Sequence, residues 1–132
     1  MRILLDTHIF LWFISLWFIS GSTRLSEHLR DAIRDPENQV YLSVISIWEA
    51  TFKHQLGKLP LPEHPATYLP RQRNPHQIAS LDLDEDSVAQ LAKLPLLHRE
   101  PFDRILICQA LQNGLTIATV DAAIRAYPVD TM

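Results

Sequence analysis

Short apolar segments alternate with longer helical segments along the whole chain, and this alternation limits the possible folds more than any other feature. Apolar-rich runs predict strands, whereas helical periodicity with N-cap or glycine stop signals predicts helices. The predicted strands span 2–6, 39–43, 78–83, 115–120 and 129–132, and the predicted helices span 7–20, 26–34, 46–56, 85–94, 101–113 and 122–126. Such alternation is typical of a parallel sheet covered by helices on both faces, so we predict an α/β fold, a three-layer α/β/α sandwich.

Length and composition predict one globular domain over residues 1–132. Hydrophobic residues make up 47% of the chain and charged residues 20%, an ordinary globular balance that argues against intrinsic disorder. Five prolines between positions 60 and 75 interrupt the middle of the chain, so any helix near 66–69 should be short. With only three glycines, the chain contains neither of the common glycine-rich phosphate-binding motifs.

The charge and cysteine content exclude several classes of function. A net charge of −3 gives no general attraction to nucleic acid, so a nucleic-acid function would depend on a local site. The single Cys108 excludes a disulfide within one chain and a cysteine-based zinc site. It agrees with a reducing cytosol, and we expect a cytoplasmic protein without a membrane partner. The apolar run over 9–19 resembles part of a signal peptide, but Asp6 and His8 precede it, which argues against that interpretation.

The pentapeptide Leu-Trp-Phe-Ile-Ser occurs twice in succession, at 11–15 and at 16–20. Five extra residues turn a helix by about 500°, a net rotation of about 140°, so a packed helix cannot absorb the copy in its middle. The first copy should therefore pack against the core, and the second should extend the helix towards its end near residue 20. We expect Trp17 or Phe18 to be exposed in the monomer or buried against a second chain.

Deletion of residues 16–20 tests this interpretation of the repeat. We expect the shortened protein to fold, to keep any activity of the site described below, and to be more soluble, because it loses apolar side chains that the core cannot bury. Solubility and thermal unfolding of the two proteins are the measurements. A shortened protein that cannot fold, beside a stable and monomeric full chain, would show that the second copy belongs to the core.

Four acidic residues are expected to meet at the carboxyl edge of the sheet. Asp6 ends the first strand and Asp121 follows the strand over 115–120, while Glu49 and Asp103 are predicted in the first turns of helices. Carboxylates gathered in this way repel one another unless a cation lies between them. Oxygen ligands favour Mg²⁺ or Mn²⁺, which can bind a phosphate oxygen and activate water. Asp6 is the strongest candidate because an acid after a buried strand has little structural purpose.

The other three acids also have structural interpretations. Ser46 and Glu49 have the spacing of a capping box, and Glu49 is four residues before Lys53, a favourable helical ion pair. Asp103 would be stabilised at the positive end of a helix, and Asp121 could cap the short helix that follows it. For these residues the sequence leaves both interpretations open.

Four motifs carry a resemblance to a known family. They are Leu-Leu-Asp-Thr-His at 4–8, Ser-Ile-Trp-Glu at 46–49, His-Arg-Glu-Pro-Phe-Asp-Arg at 98–104 and Thr-Val-Asp at 119–121. In these motifs and their order the chain resembles the PIN domain, and more narrowly the VapC-type toxins of bacterial toxin–antitoxin pairs. The resemblance implies a three-layer α/β/α fold and endoribonuclease activity with Mg²⁺ or Mn²⁺ as the cofactor. It implies a supporting role for Thr119 and metal ligands at Asp6, Glu49, Asp103 and Asp121.

The resemblance also implies a substrate and partners. The substrate would be RNA, cut by activated water to leave 5′-phosphate and 3′-hydroxyl ends, and the partners would be a cognate antitoxin and a second copy of the chain. Arg99, Arg104 and His98 are candidate contacts to substrate phosphate, with an exposed surface position as the alternative. Two other functions stay open: a catalytically inactive PIN scaffold that only binds partners, and a DNA nuclease, although no basic arm for duplex DNA is visible in the sequence.

Overall fold

The computed structural model describes residues 1–15 and 25–132, and these residues form one parallel sheet and seven α-helices. The sheet order is β3-β2-β1-β4, with every neighbouring pair parallel. The strands are β1 (Arg2–Leu5), β2 (Gln39–Ser43), β3 (Ala79–Leu81) and β4 (Thr116–Ala118). The helices are α1 (Thr7–Ser15), α2 (Glu27–Arg34), α3 (Val44–Gln55), α4 (Pro65–Arg73), α5 (Glu85–Ala89), α6 (Pro101–Asn113) and α7 (Ala122–Arg125), with short 3₁₀ turns at Asn74–His76 and Gln90–Ala92.

The sheet separates two apolar cores, which confirms the three-layer prediction. Successive side chains of a strand point to opposite faces. In β1, Ile3 and Leu5 therefore belong to the core under α1, α2 and α4, whereas Leu4 belongs to the core under α6 and α7. Helix α3 contributes to both cores, through Ala50 to the first and Ile45 to the second. Burial on both faces explains why the strand sequences are apolar without alternation.

Two predicted helix boundaries were wrong. Helix α3 begins at Val44 rather than at residue 46, and its N-cap is Ser43, whose Oγ accepts a hydrogen bond from the Ile45 N–H at 3.0 Å. Helix α4 spans Pro65–Arg73, longer than the short helix predicted near 66–69, and carries Pro70 inside it. A proline inside a helix removes one backbone hydrogen bond, but the helix continues because Tyr68 and Leu69 are buried in the first core.

Other elements are shorter than predicted. Strand β3 covers three residues of the predicted 78–83, and the helix predicted over 85–94 ends at Ala89 and continues as the 3₁₀ turn. The predicted strand over 129–132 is reduced to one parallel bridge between Ile117 and Thr131. Helix α6 ends as predicted, because Gly114 adopts a left-handed conformation, φ 64°, that glycine accepts without strain.

The second copy of the pentapeptide, 16–20, lies outside the described residues, and so do the expectations for Trp17 and Phe18. The first copy forms the last five residues that the structure describes in α1, and there Leu11 and Trp12 pack, partly buried, against the core. Within 1–15 and 25–132, no helix has the length and apolar character needed to cross a membrane.

Candidate active site

Asp6 follows β1 directly and lies at the carboxyl edge of the sheet, as predicted. Its backbone N–H donates to the carbonyl oxygen of Ala118 on the adjacent β4 at 3.0 Å, and only 4% of the residue is exposed. The Thr119 hydroxyl donates to Asp6 Oδ2 at 2.8 Å. Burial raises the pKa of Asp6, and the carboxylates of Glu49 and Asp121 raise it further, against the opposing effects of Thr119 and His8. A cation at this position would relieve that cost.

Glu49 lies in the second turn of α3 and not in the first, so the capping-box interpretation is wrong. Ser43 is the N-cap, and the hydroxyl of Ser46 instead shares a buried hydrogen bond with that of Thr7 at 2.8 Å. The predicted ion pair is present, with Lys53 Nζ 2.6 Å from Glu49 Oε2. The other oxygen, Oε1, is buried and accepts no hydrogen bond from any residue within 1–15 and 25–132. An unpaired buried carboxylate oxygen is costly, and it is available to a ligand.

Asp103 lies in the first turn of α6, as predicted. Its backbone N–H donates to the side chain of the N-cap Glu100 at 2.6 Å, and its Oδ2 lies 3.3 Å from Nε2 of His98. Burial raises the pKa of Asp103 to about 8, and the carboxylates of Glu100, Asp6 and Glu49 add to this rise. The N-terminus of α6 alone therefore does not stabilise the negative charge of Asp103. A nearby cation would favour the ionised carboxylate.

Asp121 is exposed and caps α7, which confirms its structural interpretation. Its Oδ1 accepts a hydrogen bond from the Ala123 N–H at 2.8 Å, and its own N–H donates to the Thr119 hydroxyl at 3.0 Å. Thr119 thus connects Asp121 to Asp6 through one buried hydroxyl group. The charge of Asp121 acts on Asp6, so a contribution to cation binding stays a prediction for this residue.

The four acids interact electrostatically, but they do not form a preformed cation cage. No three His, Cys, Asp or Glu side chains are arranged to hold a metal ion in the part of the chain that the structure describes. One oxygen of each buried acid already has a protein partner within hydrogen-bonding reach, namely Thr119 for Asp6, Lys53 for Glu49 and His98 for Asp103. The donor set suits a hard divalent cation, and the unpaired Glu49 Oε1 supports that fit.

The candidate phosphate contacts differ in their surroundings. Arg104 Nη1 donates to the carbonyl oxygen of Pro95 and to the hydroxyl of Tyr127, both at 3.0 Å, so this group stabilises the protein. His98 is half-buried and is hydrogen-bonded within the protein. Arg99 is exposed, and a contact between it and phosphate stays a prediction.

Sequence reasoning missed Glu100 and Tyr127. An N-cap acid directly before Pro101 is the signal that would have identified Glu100. Tyr127 follows the last short helix, and nothing in the nearby sequence indicates that its hydroxyl reaches His98, 29 residues away in the chain. Its place in the site depends on tertiary structure alone.

Comparisons with known proteins show the family and the fold of the chain. The sequence model of the PIN domain matches residues 3–129. Over 60 residues the chain is 35% identical to Ribonuclease VapC16 of Mycobacterium tuberculosis, a match that covers 46% of this chain and 43% of that protein. The chain therefore spans less than half the length of that relative in this match.

Solved structures share the fold across nearly the whole chain. One is VapBC2 from Rickettsia felis bound to a DNA fragment from its promoter, with a TM-score of 0.73, 15% identity, and coverage of 100% of this chain and 98% of that one. FitAB bound to an IR36 DNA fragment has a TM-score of 0.62 and 22% identity, covering 98% and 93%. FitAcB from Neisseria gonorrhoeae has a TM-score of 0.57 and 22% identity, covering 98% and 96%. At these identities the likeness shows the fold.

Proposed function

The chain belongs to the PIN-domain family, and we propose that it is a metal-dependent endoribonuclease that acts as the toxin of a toxin–antitoxin pair. One observation carries this proposal: at the carboxyl edge of the sheet, three buried or half-buried acids lie close enough for their charges to repel one another. Burial and mutual repulsion raise the pKa of Asp6 and Asp103, and one oxygen of Glu49 has no hydrogen-bond partner among the residues that the structure describes. The match to a ribonuclease supports RNA as the substrate.

Each residue of the site has a distinct role in this proposal. Asp6, Glu49 and Asp103 would hold Mg²⁺ or Mn²⁺, and Asp121 would contribute from the exposed side. Such an ion supplies Lewis-acid chemistry, which makes water more acidic and neutralises charge on a phosphate. Thr119 holds the Asp6 carboxylate through its hydroxyl hydrogen bond. The reaction then needs no nucleophile from the protein.

A cleavage assay with analysis of the product ends tests the proposal. The purified protein should cleave single-stranded RNA with Mg²⁺ or Mn²⁺ and stop when EDTA is added. The products should carry 5′-phosphate and 3′-hydroxyl groups, because in this proposal water would form the new bond to phosphorus while the bond from phosphorus to the 3′ oxygen breaks, and the 3′ oxygen would leave as the hydroxyl. Cleavage in EDTA, or products with a 2′,3′-cyclic phosphate, would contradict the metal-dependent mechanism. Binding of an antitoxin without cleavage under any metal condition would favour the inactive scaffold instead.

The Glu49→Gln variant separates a ligand from a structural residue. Loss of a residue that only hydrogen-bonds to a metal ligand typically lowers activity by about 10- to 100-fold. We expect Glu49→Gln to lower the cleavage rate by at least that much. Stability should be similar or higher, because one charge leaves a group of like charges and the partly exposed Lys53 stays hydrated. Cleavage rate and thermal unfolding are measured together, with Glu37→Gln in an exposed turn as the matched control. Normal cleavage by a folded Glu49→Gln protein would return Glu49 to a structural role.

An exposed apolar surface on α3 supports protein partners. Trp48, Phe52 and Leu56 follow one another at helical spacing, and all three are largely exposed. Trp48 packs edge-to-face on Phe102, beside Asp103, with ring centroids 5.1 Å apart. Exposed apolar surfaces of this kind are typical of interaction sites, and the structural neighbours VapBC2 and FitAB support a cognate antitoxin as one partner. A homodimer and a cytoplasmic location belong to the same proposal.

A further inference from the structure

His98 lies between a buried tyrosine and one of the proposed metal ligands. Its Nδ1 is 2.8 Å from the hydroxyl oxygen of Tyr127, and its Nε2 is 3.3 Å from Oδ2 of Asp103. The imidazole is mostly buried, with 22% of its side chain exposed, and Tyr127 is 3% exposed. Both ring nitrogens therefore point at protein groups, and the ring connects the segment after α7 to the first turn of α6.

The hydrogen bonds of Tyr127 determine which nitrogen of His98 carries the proton. The Tyr127 hydroxyl oxygen accepts from the backbone N–H of His98 and from Nη1 of Arg104, each at 3.0 Å. With two hydrogen bonds accepted, the hydroxyl has one proton left to donate. The nearer acceptor is Nδ1 at 2.8 Å, whereas the carbonyl oxygen of His98 is 3.4 Å away. Nδ1 is then an acceptor, so a neutral imidazole carries its proton on Nε2, facing Asp103.

We propose that Tyr127 and His98 form a positioning relay, in which the Tyr127 hydroxyl fixes the His98 tautomer and the Nε2–H of His98 orients the Asp103 carboxylate. This inference rests on the proposed function, because orienting Asp103 matters only if Asp103 binds a metal ion. The hydrogen bonds themselves are independent of that function. Arg104 anchors the relay from the other side, since its Nη1 holds the Tyr127 oxygen and the carbonyl oxygen of Pro95. A carboxylate with one oxygen held in this way presents the other in a fixed direction.

The relay assigns His98 a role different from contact with substrate phosphate. A phosphate contact would leave a ring nitrogen free to face the substrate, and its removal would raise KM. A positioning residue acts through Asp103, so its removal should lower kcat and the affinity for Mn²⁺ while KM stays nearly constant. Groups that orient a metal ligand typically change metal affinity or activity by about 10- to 100-fold.

The tautomer can be measured without metal or RNA. In ¹⁵N NMR spectra of the full chain at about pH 9, above the ordinary range of imidazole, His98 should show a protonated Nε2 and an unprotonated Nδ1. In Tyr127→Phe, which keeps the ring but loses the hydroxyl, the tautomer with a proton on Nδ1 should gain a measurable population, although Asp103 still favours a proton on Nε2. The exposed His28 is the internal control and should not change. A proton on Nδ1 in the wild type, or an unchanged His98 in Tyr127→Phe, would overturn the relay.

Two substitutions of His98 test its action on Asp103. The amide of Gln reaches the position of Nε2 and can donate to Asp103, whereas the amide of Asn is too short to do so. Calorimetric titration with Mn²⁺ should therefore show a loss of about 10- to 100-fold in affinity for His98→Asn and a smaller loss for His98→Gln. His28→Gln should bind Mn²⁺ like the wild type.

The outcomes distinguish this inference from the proposed function. Equal losses of Mn²⁺ affinity in His98→Gln and His98→Asn would contradict positioning through the Nε2 position. A rise in KM alone would return His98 to a phosphate contact. A wild-type protein with the expected tautomer and Mn²⁺ binding that cleaves no RNA would leave the relay supported while contradicting the proposed ribonuclease activity.

Discussion

The Asp6→Asn variant should lose RNA cleavage by about 10³-fold or more while it keeps its fold. A metal ion contributes several kcal/mol to the stabilisation of charge in the transition state, and about 4 kcal/mol corresponds to three powers of ten in rate. Asn has the same shape and can still accept the Thr119 hydrogen bond, and it removes a charge whose burial raises the pKa of Asp6. The measurement is the single-turnover cleavage rate at saturating Mn²⁺, with circular dichroism to confirm folding.

Asp121→Asn is the matched control for this variant. Asn caps helices as well as Asp does, so the start of α7 should be preserved. Asp121 is exposed and acts on the site from its rim, so its replacement should reduce the rate less than Asp6→Asn does. An Asp6→Asn protein that cleaves RNA at the wild-type rate would remove the basis for metal binding at the carboxyl edge of the sheet.

Mn²⁺ or Mg²⁺ should stabilise the folded protein strongly. A ligand at about 100 times its Kd, bound by the folded state alone, adds about 2.7 kcal/mol to the free energy of unfolding. For a domain of this length that corresponds to a rise in Tm on the order of 10 °C. Thermal unfolding with Mn²⁺ and with EDTA measures the difference, and Asp6→Asn and Asp103→Asn should lose most of it. Equal Tm values for the wild type under both conditions would count heavily against the site.

The pH dependence of this stabilisation provides an independent check. The folded-state pKa of Asp103 is about 8, above its ordinary value of 3.8, because burial and neighbouring carboxylates favour the protonated form. Without metal, the contribution of Asp103 to the free energy of unfolding is therefore fully present below about pH 4. It is lost as the pH rises towards 8. Metal binding requires the carboxylate and competes with protons, so stabilisation by Mn²⁺ should be larger at about pH 8 than at about pH 6.

The fold was predictable because buried parallel strands have a simple sequence signature. Three consecutive residues of β1, Ile3, Leu4 and Leu5, are fully buried against two different cores, and an unbroken apolar run indicates this arrangement. The order of the strands was not predictable in the same way. The pairing of β1 with β4 joins residues more than a hundred positions apart, and nothing local in either sequence specifies it.

The predicted boundaries of α3 and α4 were wrong because tertiary contacts outweighed local sequence preferences there. Ser46 and Glu49 have capping-box spacing, but the hydroxyl of Ser46 is hydrogen-bonded to Thr7 on another helix, and Ser43 caps α3 instead. Ser43 also donates to Gln109 at 2.6 Å, so it ties the end of β2 to α6. In α4, Pro70 follows Leu69, which is buried in the core, and this burial outweighs one missing hydrogen bond.

In the candidate site, too, some positions could be predicted from the sequence and others depend on tertiary structure. The positions of Asp6 and Asp121 follow from the rule that functional groups gather at the carboxyl ends of parallel strands. The sequence also predicted Glu49 and Asp103 at this edge, in the first turns of two helices, but each had a local structural explanation beside the ligand role, and Glu49 lies one turn later than predicted. The relay of His98 and Tyr127 could not be predicted, because it depends on a hydroxyl that the fold brings from a distant segment.

Direct measurement of Mn²⁺ binding by electron paramagnetic resonance tests the central claim, that these acids hold a divalent cation. Free Mn²⁺ gives a sharp signal that disappears when the ion is bound by protein. We predict that the wild-type chain removes the signal in a fixed stoichiometric ratio and that the folded double variant Asp6→Asn/Asp103→Asn leaves it almost intact. Equal binding by the wild type and the double variant would contradict the account.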